Sequence, residues 1–319
     1  MAKQSSKKVL KITAAVAAVA LVAAIAAYPI AYRVRGDLGN VDLPDDFSAQ
    51  LQTVGGVQQA ADADVRVMSA NLLVGYKSWG GTPVRPRAKQ FVEVMRRFQP
   101  DVAALQEASF DWHACIAQNL ANCEILHPQN NVVQKSLTTL IYNTETLDLL
   151  NSGRQTYSVG DGTQHRAVTW GVFETKSDGK RFAVTSTHLN LVRDEETRGT
   201  EIDTMTQQVN ELLEIANRIQ TQYDCPVFCA GDYNAMENDS TKGIYAGSEI
   251  YTMLASKLTD AKFIADLKAA GSAESFDEPT WDHIFIKGEA QVCAFRVLSE
   301  PCLQDMSDHF PVFADITLS

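Results

Sequence analysis

The sequence predicts an α/β fold, a four-layer sandwich in which two mostly antiparallel β-sheets pack face to face and are flanked by helices. Short apolar segments with the composition and period of strands follow one another from Val65 to the end of the chain. Several adjacent segments are separated only by short turns, as in β-hairpins. Two amphipathic helical segments interrupt them and could cover the outer faces of the sheets. This pattern favours a sandwich over a doubly wound parallel sheet.

Local patterns justify each element. VRVMSANL, residues 65–72, alternates apolar and polar residues like a strand. RAKQFVEVMRRF, residues 87–98, has helical spacing of its apolar residues and is followed by Pro100, which ends a helix. Residues 201–220 form a long amphipathic helix. The remaining segments resemble strands: DVAALQE, TTLIYN, AVTWGVFE, KRFAVTSTHL, CPVFCAGD, TWDHIFIKG, AQVCAFRVL and FPVFADITL.

The first forty residues differ sharply from the rest. Four lysines precede a charge-free run of 21 residues from Ile12 to Tyr32. A helix of that length spans roughly 31 Å, about the hydrocarbon thickness of a bilayer. We therefore expect residues 1–35 to be a transmembrane signal anchor with its basic end in the cytoplasm. Ala24-Ile25-Ala26 also resembles a signal-peptide cleavage site, so a cleaved, secreted form is the alternative.

Either form places the body of the protein outside the cytoplasm, attached to the cell membrane or secreted. Residues 36–63 are polar and acidic without a sustained period, which favours a linker before a domain at 64–319. Residues 1–40 contain six of the 28 basic residues and one of the 39 acidic residues. The rest of the chain therefore has 22 basic and 38 acidic residues, and its net charge is −16. Such an acidic domain disfavours extensive sequence-independent binding of nucleic acid. We expect a monomer.

Six cysteines fit an oxidising compartment. Cys115 with Cys123, and Cys293 with Cys302, are close enough in sequence to close short loops, and we expect these two disulfide bonds. Cys225 and Cys229 on one strand would be about 13 Å apart, beyond disulfide reach, so Cys229 is expected to be a buried thiol. Six reduced cysteines are the alternative, because connectivity cannot be read from sequence.

Polar residues recur where strands meet loops. Each alone has an ordinary explanation as a cap, a turn residue or a structural histidine. Because loops at one edge of a sandwich converge in space, their recurrence indicates a common site. The residues are Asn71, Glu107, His188, Asn190, Asp232, Asn234, Asp282, His283, Asp308 and His309.

The residue types in this set suit one kind of chemistry. Carboxylates and Asn amides are hard oxygen ligands, which suit Mg²⁺ and also Mn²⁺ or Ca²⁺. Zinc would prefer His and Cys, and the sequence has no HxxxH or CxxC spacing. It also has no Walker-type glycine loop and no GxGxxG motif. A divalent ion held by carboxylates beside two histidines suits attack of water on a phosphoester.

Six motifs occur in order along the chain: SANLL, LQEAS, STHLN, AGDYN, TWDHIF and MSDHFPV. Together they resemble those of the endonuclease/exonuclease/phosphatase superfamily, which includes pancreatic-type deoxyribonucleases, abasic-site endonucleases, neutral sphingomyelinases and inositol polyphosphate 5-phosphatases. The resemblance covers about residues 64–319. It implies the four-layer sandwich and metal-dependent hydrolysis of phosphoesters.

The resemblance also implies catalytic roles for five residues. Asp232 would orient or deprotonate the attacking water, and Asn234 would hold the phosphate or that water. His309 would contact the scissile phosphate, with Asp282 as the charge partner that fixes its imidazole. His188 would be a second phosphate contact.

The same resemblance implies a metal site and further phosphate contacts. Glu107 would be the principal Mg²⁺ ligand, with Asn71 beside it and Asp308 near the metal. Arg166 matches a position where many members carry an arginine that can face the substrate phosphate. Asn190, two residues after His188, is a further candidate for the phosphate, at a position where the family varies. His283 departs from the tyrosine common there in nuclease branches, and we interpret it as a supporting residue.

Three functions compete. The first is a divalent-metal-dependent phosphodiesterase or phosphatase that acts outside the cytoplasmic membrane on a small phosphoester or a lipid headgroup. The second is an extracellular or membrane-tethered nuclease that cleaves DNA or RNA, which the net charge disfavours. The third is a non-catalytic binding module, which the complete residue set disfavours. The expected partners are the phosphoester substrate and, through the N-terminal helix, the membrane.

Overall fold

A computed structural model of the chain describes residues 29–127, 137–160, 166–272 and 275–319. Within these ranges the strands are β1 (Val65–Asn71), β2 (Val102–Gln106), β3 (Cys123–Leu126), β4 (Thr139–Asn143), β5 (Leu147–Thr156), β6 (Ala167–Thr175), β7 (Arg181–His188), β8 (Val227–Asp232), β9 (Thr259–Asp260), β10 (Leu267–Ala270), β11 (Asp282–Lys287), β12 (Ala290–Val297) and β13 (Val312–Leu318). The helices are α1 (Phe47–Thr53), α2 (Val84–Phe98), α3 (Phe110–Asn119), α4 (Arg198–Tyr223), α5 (Ser248–Ala255) and α6 (Ala261–Ile264). Short 3-10 turns lie at Gly243–Ala246 and Pro301–Leu303, and residues 29–36 are also helical.

The strands form two sheets. One has the order β10-β12-β13-β1-β2-β4-β3 and the other the order β5-β6-β7-β8-β11-β9. Most neighbouring strands are antiparallel, whereas β1–β2, β7–β8 and β10–β12 are parallel. The facing surfaces share one apolar cluster that includes Val67, Val102, Phe228 and Ile284.

Helices cover both outer faces. The α2 side chains Phe91 and Phe98 and the α3 side chain Trp112 belong to a second core cluster against the seven-stranded sheet. The α4 side chains Leu212 and Ile219 belong to a third cluster against the six-stranded sheet. The predicted four-layer α/β sandwich of two mostly antiparallel sheets is therefore confirmed.

The predicted linker, residues 36–63, is packed against the domain. Five apolar side chains of this segment are buried in the cluster that contains α2 and α3, which are Leu38, Val41, Phe47, Leu51 and Val54. Polar contacts hold it as well, because Ala60 N donates to Asp315 Oδ2 at 2.9 Å and Arg97 Nη2 donates to the Gln52 carbonyl at 2.9 Å. The division into a linker and a domain stays a prediction, and these contacts attach residues 36–63 to the folded body.

Most of the predicted anchor lies outside the described residues, which begin at 29. Residues 29–36 pack on α3, where Tyr32 Oη donates to the His113 carbonyl at 3.0 Å and Asn119 Nδ2 donates to the Gly36 carbonyl at 2.8 Å. In the described part of the chain, no helix combines the length and apolarity that crossing a bilayer requires.

The two expected disulfide bonds are absent, because all six cysteines are free. Their thiols face other groups. Cys115 Sγ donates to the Arg35 carbonyl at 3.4 Å, and Cys293 Sγ lies 3.1 Å from Thr317 Oγ1. The expectation for Cys229 is confirmed, since it is fully buried and burial raises the pKa of its thiol to about 12.

Candidate active site

Two parallel strand pairs determine where the polar residues meet. Asn71 at the end of β1 pairs with Gln106 at the end of β2, so Glu107 emerges beside Asn71. His188 at the end of β7 pairs with Asp232 at the end of β8. Parallel strands bring their carboxyl ends to one edge of a sheet. Because β1 packs against β8 across the sandwich, the two edges meet.

Asp232 is the hub of this edge. It is buried, its Oδ2 accepts from Asn71 Nδ2 at 2.9 Å, and the same oxygen lies 3.2 Å from His188 Nε2. His309 Nε2 lies 3.8 Å from that oxygen. Burial alone would raise the pKa of Asp232, but the charges of His188 and His309 outweigh it and hold the pKa well below its usual range. The carboxylate is therefore ionised and can accept a hydrogen bond from water.

His309 is held by Asp282. Asp282 begins β11 and pairs with Asp232 across the antiparallel β8–β11 ladder. Its Oδ2 lies 2.6 Å from His309 Nδ1. This contact directs His309 Nε2 toward Asp232 and the open side of the site. Burial alone would lower the pKa of His309, but Asp282 and Asp232 outweigh it and raise the pKa to about 10.

Backbone contacts orient the predicted metal ligands. Glu107 Oε2 accepts from Val74 N at 2.9 Å, and Asn71 Oδ1 accepts from Leu73 N at 3.0 Å. Glu107 and Leu73 both have positive φ, 55° and 51°, which side chains rarely adopt and which surrounding contacts must hold.

The segment with Asp308 is tied to the same place. Ser307 Oγ donates to the Asn71 carbonyl at 2.7 Å. Asp308 itself is exposed, and Ser307 Oγ lies 3.3 Å from its Oδ1. Ser307 thus ties the segment with Asp308 to the end of β1.

The donors at this edge fit a hard divalent cation. Glu107 and Asp308 supply carboxylates and Asn71 supplies an amide oxygen, the donor types that Mg²⁺ prefers. In the described ranges no group of three or more His, Cys, Asp or Glu side chains is placed to hold a metal ion. One or two carboxylates are nevertheless enough for Mg²⁺, which usually keeps several waters and binds substrate phosphates.

Asn234 and Asn190 hold the loops at this edge. Asn234 has φ 47°, its backbone N donates to Asp232 Oδ1 at 2.9 Å, and its Nδ2 donates to the Leu189 carbonyl at 3.0 Å. Asn190 is buried against α4. Its N donates to Gln208 Oε1 and its Oδ1 accepts from Gln208 Nε2, both at 2.9 Å. These contacts give Asn190 a role in anchoring the loop after β7, and its predicted contact with phosphate is untested.

Arg166 lies at the same edge of the six-stranded sheet as His188. It directly precedes β6, whose residue Val168 pairs with Thr187 of β7. The side chain of Arg166 is buried, and residues 161–165 before it lie outside the described ranges. The predicted contact of Arg166 with phosphate therefore stays a prediction.

His283 has no place in the catalytic cluster. Its Nδ1 lies 3.0 Å from Asp260 Oδ2 and its Nε2 lies 2.9 Å from the Ala235 carbonyl. Both ring nitrogens are thus engaged within a buried network beneath the site. The supporting role predicted for His283 agrees with this placement.

Two residues near the site escaped the sequence prediction. Arg87 and Trp112 are fully buried and donate hydrogen bonds to the loop after β1, Arg87 to the Leu72 carbonyl at 2.7 Å and Trp112 to the Leu73 carbonyl at 2.9 Å. The sequence contained one signal for Arg87. It precedes Phe91 by four residues and Val94 by seven, which places a charged residue on the apolar face of the helix.

A cavity of about 180 Å³ opens beside His309. Its lining includes Asp282 and the apolar side chains Met236, Trp281 and Phe310. An apolar recess therefore lies next to the charged residues Asp282 and His309.

The fold has known counterparts. An endonuclease/exonuclease/phosphatase family protein from Bacteroides thetaiotaomicron matches with a TM-score of 0.63 at 17% identity over 79% of this chain and 94% of that one. A mannosyl-6-phosphatase from the same organism matches with a TM-score of 0.59 at 18% identity over 79% and 99%. D. rerio TDP2 complexed with single-strand DNA product matches with a TM-score of 0.56 at 13% identity over 79% and 98%. Comparison of the sequence with protein-family models and with curated proteins gives no match.

The chain therefore has the endonuclease/exonuclease/phosphatase fold, and the resemblance drawn from the six motifs is confirmed at the level of fold. At these sequence identities the similarity shows only that the folds are alike. The activity depends on the side chains at the edge of the sandwich, because one fold supports many functions.

Proposed function

We propose that the protein is a divalent-metal-dependent phosphoester hydrolase that acts outside the cytoplasmic membrane. The observation that carries this proposal is the row of paired residues His188, Asp232 and Asp282, with His309 hydrogen-bonded to the last of them. The row lies at the same edge as Glu107 and Asn71. Carboxylates, imidazoles and an amide thus lie at one edge of the sandwich, and this supports the proposal because hydrolysis of a phosphoester needs a base, phosphate contacts and oxygen ligands together.

In this proposal Asp232 orients the attacking water, and Asn234 helps to hold Asp232. The ionised Asp232 accepts a hydrogen bond from the attacking water and orients it toward phosphorus. Asn71, His188 and the Asn234 backbone hold the carboxylate in one orientation through the contacts described above. This pre-organisation matters because misplacement of the base by even 1 Å costs rate.

In this proposal His309 and His188 stabilise the negative charge on the phosphate. With Nδ1 against Asp282, a protonated His309 presents its Nε2–H to a phosphoryl oxygen and stabilises the negative charge that grows in the transition state. The Nε2 of His188, at the end of β7, lies 3.2 Å from the Asp232 oxygen that His309 Nε2 also approaches. Removal of either imidazole is expected to slow the chemical step.

Mg²⁺ is the proposed metal, with Mn²⁺ or Ca²⁺ as alternatives. Glu107, Asn71 and Asp308 would hold it. When bound, such an ion offsets charge on the phosphoryl oxygens and the leaving group. The backbone N–H groups of Leu73 and Val74 fix one oxygen each of Asn71 and Glu107.

The substrate proposed is a small phosphoester or a lipid headgroup. A net charge of −16 beyond residue 40 opposes a long polyanion, and the recess beside His309 accommodates a small apolar part of an ester. The basic and then apolar N-terminal run supports a tether that keeps the domain outside the membrane. The alternative is a nuclease, supported by the similarity of fold to TDP2 complexed with single-strand DNA product.

A panel of substrates tests this proposal. The full chain, purified in detergent, is assayed with Mg²⁺ or EDTA on sphingomyelin, inositol phosphates, sugar phosphates, nucleotides, RNA and plasmid DNA. EDTA-sensitive release of phosphate or headgroup from a small ester supports the proposal. Nicking of the plasmid would favour the nuclease, and inactivity on every ester would favour a binding module.

A further inference from the structure

Arg87 holds the backbone that carries the predicted metal ligands. It lies in the first turn of α2 and is fully buried. Nη1 donates to the carbonyls of Leu72 at 2.7 Å and Met306 at 3.2 Å. Nη2 donates to the carbonyls of Leu73 at 3.2 Å, Val74 at 3.4 Å and Lys77 at 3.0 Å. One guanidinium thus links the loop after β1 with the segment before Asp308.

Both segments contact side chains or backbone of the predicted metal ligands. Leu73 N and Val74 N are the groups that orient Asn71 and Glu107, and Met306 precedes Ser307, which donates to the Asn71 carbonyl. Leu73 is also held at a positive φ. A local conformation that the chain does not favour persists only where tertiary contacts fix it, and Arg87 supplies several of them.

The charge of Arg87 also complements the site. Burial lowers the pKa of Arg87 to about 10, and the carboxylates of Asp308 and Glu107 act in the opposite direction. The planar fork of the guanidinium serves several carbonyls at fixed angles, which the single ammonium of lysine cannot do.

We propose that Arg87 is a positioning residue, which fixes Asn71, Glu107 and Asp308 relative to one another and thereby sets the affinity of the site for its divalent cation. This inference rests on the metal site of the proposed function. It goes further in assigning the strength of that site to a side chain that contacts neither metal nor substrate.

Arg66 offers a matched control. It is as buried as Arg87 and sits at the start of β1, the end opposite Asn71. Its guanidinium also makes five hydrogen bonds, to Asp315 and to the carbonyls of Val57, Phe98 and Gly56. Arg66→Lys therefore removes a comparable structural network without touching the ligand loops.

The experiment compares Arg87→Lys and Arg66→Lys in the full chain. Binding of Mn²⁺ is measured by electron paramagnetic resonance of the free ion, and thermal unfolding is measured in EDTA. Both variants are expected to lower Tm. Arg87→Lys is expected to raise the Kd for Mn²⁺ by about 10- to 100-fold, the range for residues that orient ligands, while Arg66→Lys keeps the wild-type Kd.

Wild-type Mn²⁺ affinity in a folded Arg87→Lys variant would overturn the inference and leave the metal site intact. Absence of Mn²⁺ binding by the wild type would overturn the proposed metal site, and the inference with it. If Arg87→Lys does not fold, Arg87→Gln replaces it, because the neutral amide buries no charge and still loses the guanidinium fork that joins the Leu72 and Met306 carbonyls. A raised Kd in folded Arg87→Gln supports the inference and an unchanged one contradicts it.

Discussion

His309 Nδ1 lies 2.6 Å from Asp282 Oδ2, and this contact joins the segment before β13 to the first residue of β11. Asp282 in turn is the register partner of Asp232. A histidine from one sheet's terminal segment is thereby aimed at a carboxylate of the other sheet. The proposed roles of His309 and Asp232 depend on this contact.

Asp282→Asn tests the coupling through pH. The pKa of His309 is raised to about 10, with Asp282 opposing the effect of burial, so His309 stays protonated well above neutral pH. Removal of the Asp282 charge lowers that pKa, and His309 loses its proton at a lower pH. We expect the alkaline limb of kcat against pH to shift to lower pH and kcat to fall by roughly 10²- to 10⁴-fold. An alkaline limb at the wild-type position would show that His309 is not the group that titrates.

Glu107→Gln tests the principal ligand. The amide keeps the shape of the side chain but loses the charge that attracts a divalent ion. We expect the Mg²⁺ concentration for half-maximal rate to rise by about tenfold or more. Glu124→Gln, on strand β3 and hydrogen-bonded to Tyr142, is the control with the wild-type Mg²⁺ requirement. An unchanged requirement in Glu107→Gln would remove Glu107 from the metal site.

Asn190→Ala distinguishes a phosphate ligand from a loop anchor. Asn190→Ala removes the bond from Gln208 Nε2 to Asn190 Oδ1, and Gln208→Ala removes that bond together with the one from the Asn190 backbone N. Each variant should lose about 1–3 kcal/mol of unfolding free energy. The double variant should lose less than the sum, because both changes break one interaction. KM for the phosphoester should stay near the wild-type value. A large rise in KM with unchanged stability would instead favour the phosphate contact that the sequence predicts.

Phe47→Ala tests whether residues 36–63 belong to the folded body. Phe47 is 2% exposed within the cluster that contains α2 and α3. We expect the variant to lose about 3–5 kcal/mol of unfolding free energy, as for other phenylalanines removed from a core. Tyr76→Ala is the control, because Tyr76 is 79% exposed; its loss should be within about 0.5 kcal/mol. Equal stability of the two variants would show that Phe47 does not contribute to the stability of the folded body.

The sequence predicted the layers of the fold because its strands and its two long helices carry clear periodicities. The face of α2 with Phe91 and Phe98 is buried as expected. The edge strand β5 was not predicted, since much of it is exposed and LDLLNSGRQT lacks a sustained alternation. The packing of Phe47 and Leu51 escaped notice because two apolar residues four apart in an acidic segment do not establish a helical period.

The candidate site could be predicted because its residues stand at strand ends within short motifs. A single segment of sequence does not show which strands pair in parallel. The parallel pairing of β7 with β8 is what brings His188 beside Asp232. The disulfide expectation failed because closeness in sequence says nothing about the direction of a thiol, and Cys115 Sγ faces the Arg35 carbonyl. The position of Arg87 on the apolar face of its helix was a signal, but its partners are backbone carbonyls, and these leave no pattern in a sequence.

The most direct test of the central claim is the Mg²⁺-dependent hydrolysis of bis-p-nitrophenyl phosphate by Asp232→Asn and His309→Ala. Asp101→Asn is the matched control, a buried carboxylate at the opposite end of β2 that accepts from Arg66 N and Thr146 Oγ1. We predict that kcat falls by roughly 10²- to 10⁴-fold in each site variant. The control should lose stability and keep its kcat. Wild-type rates in both Asp232→Asn and His309→Ala would contradict the account.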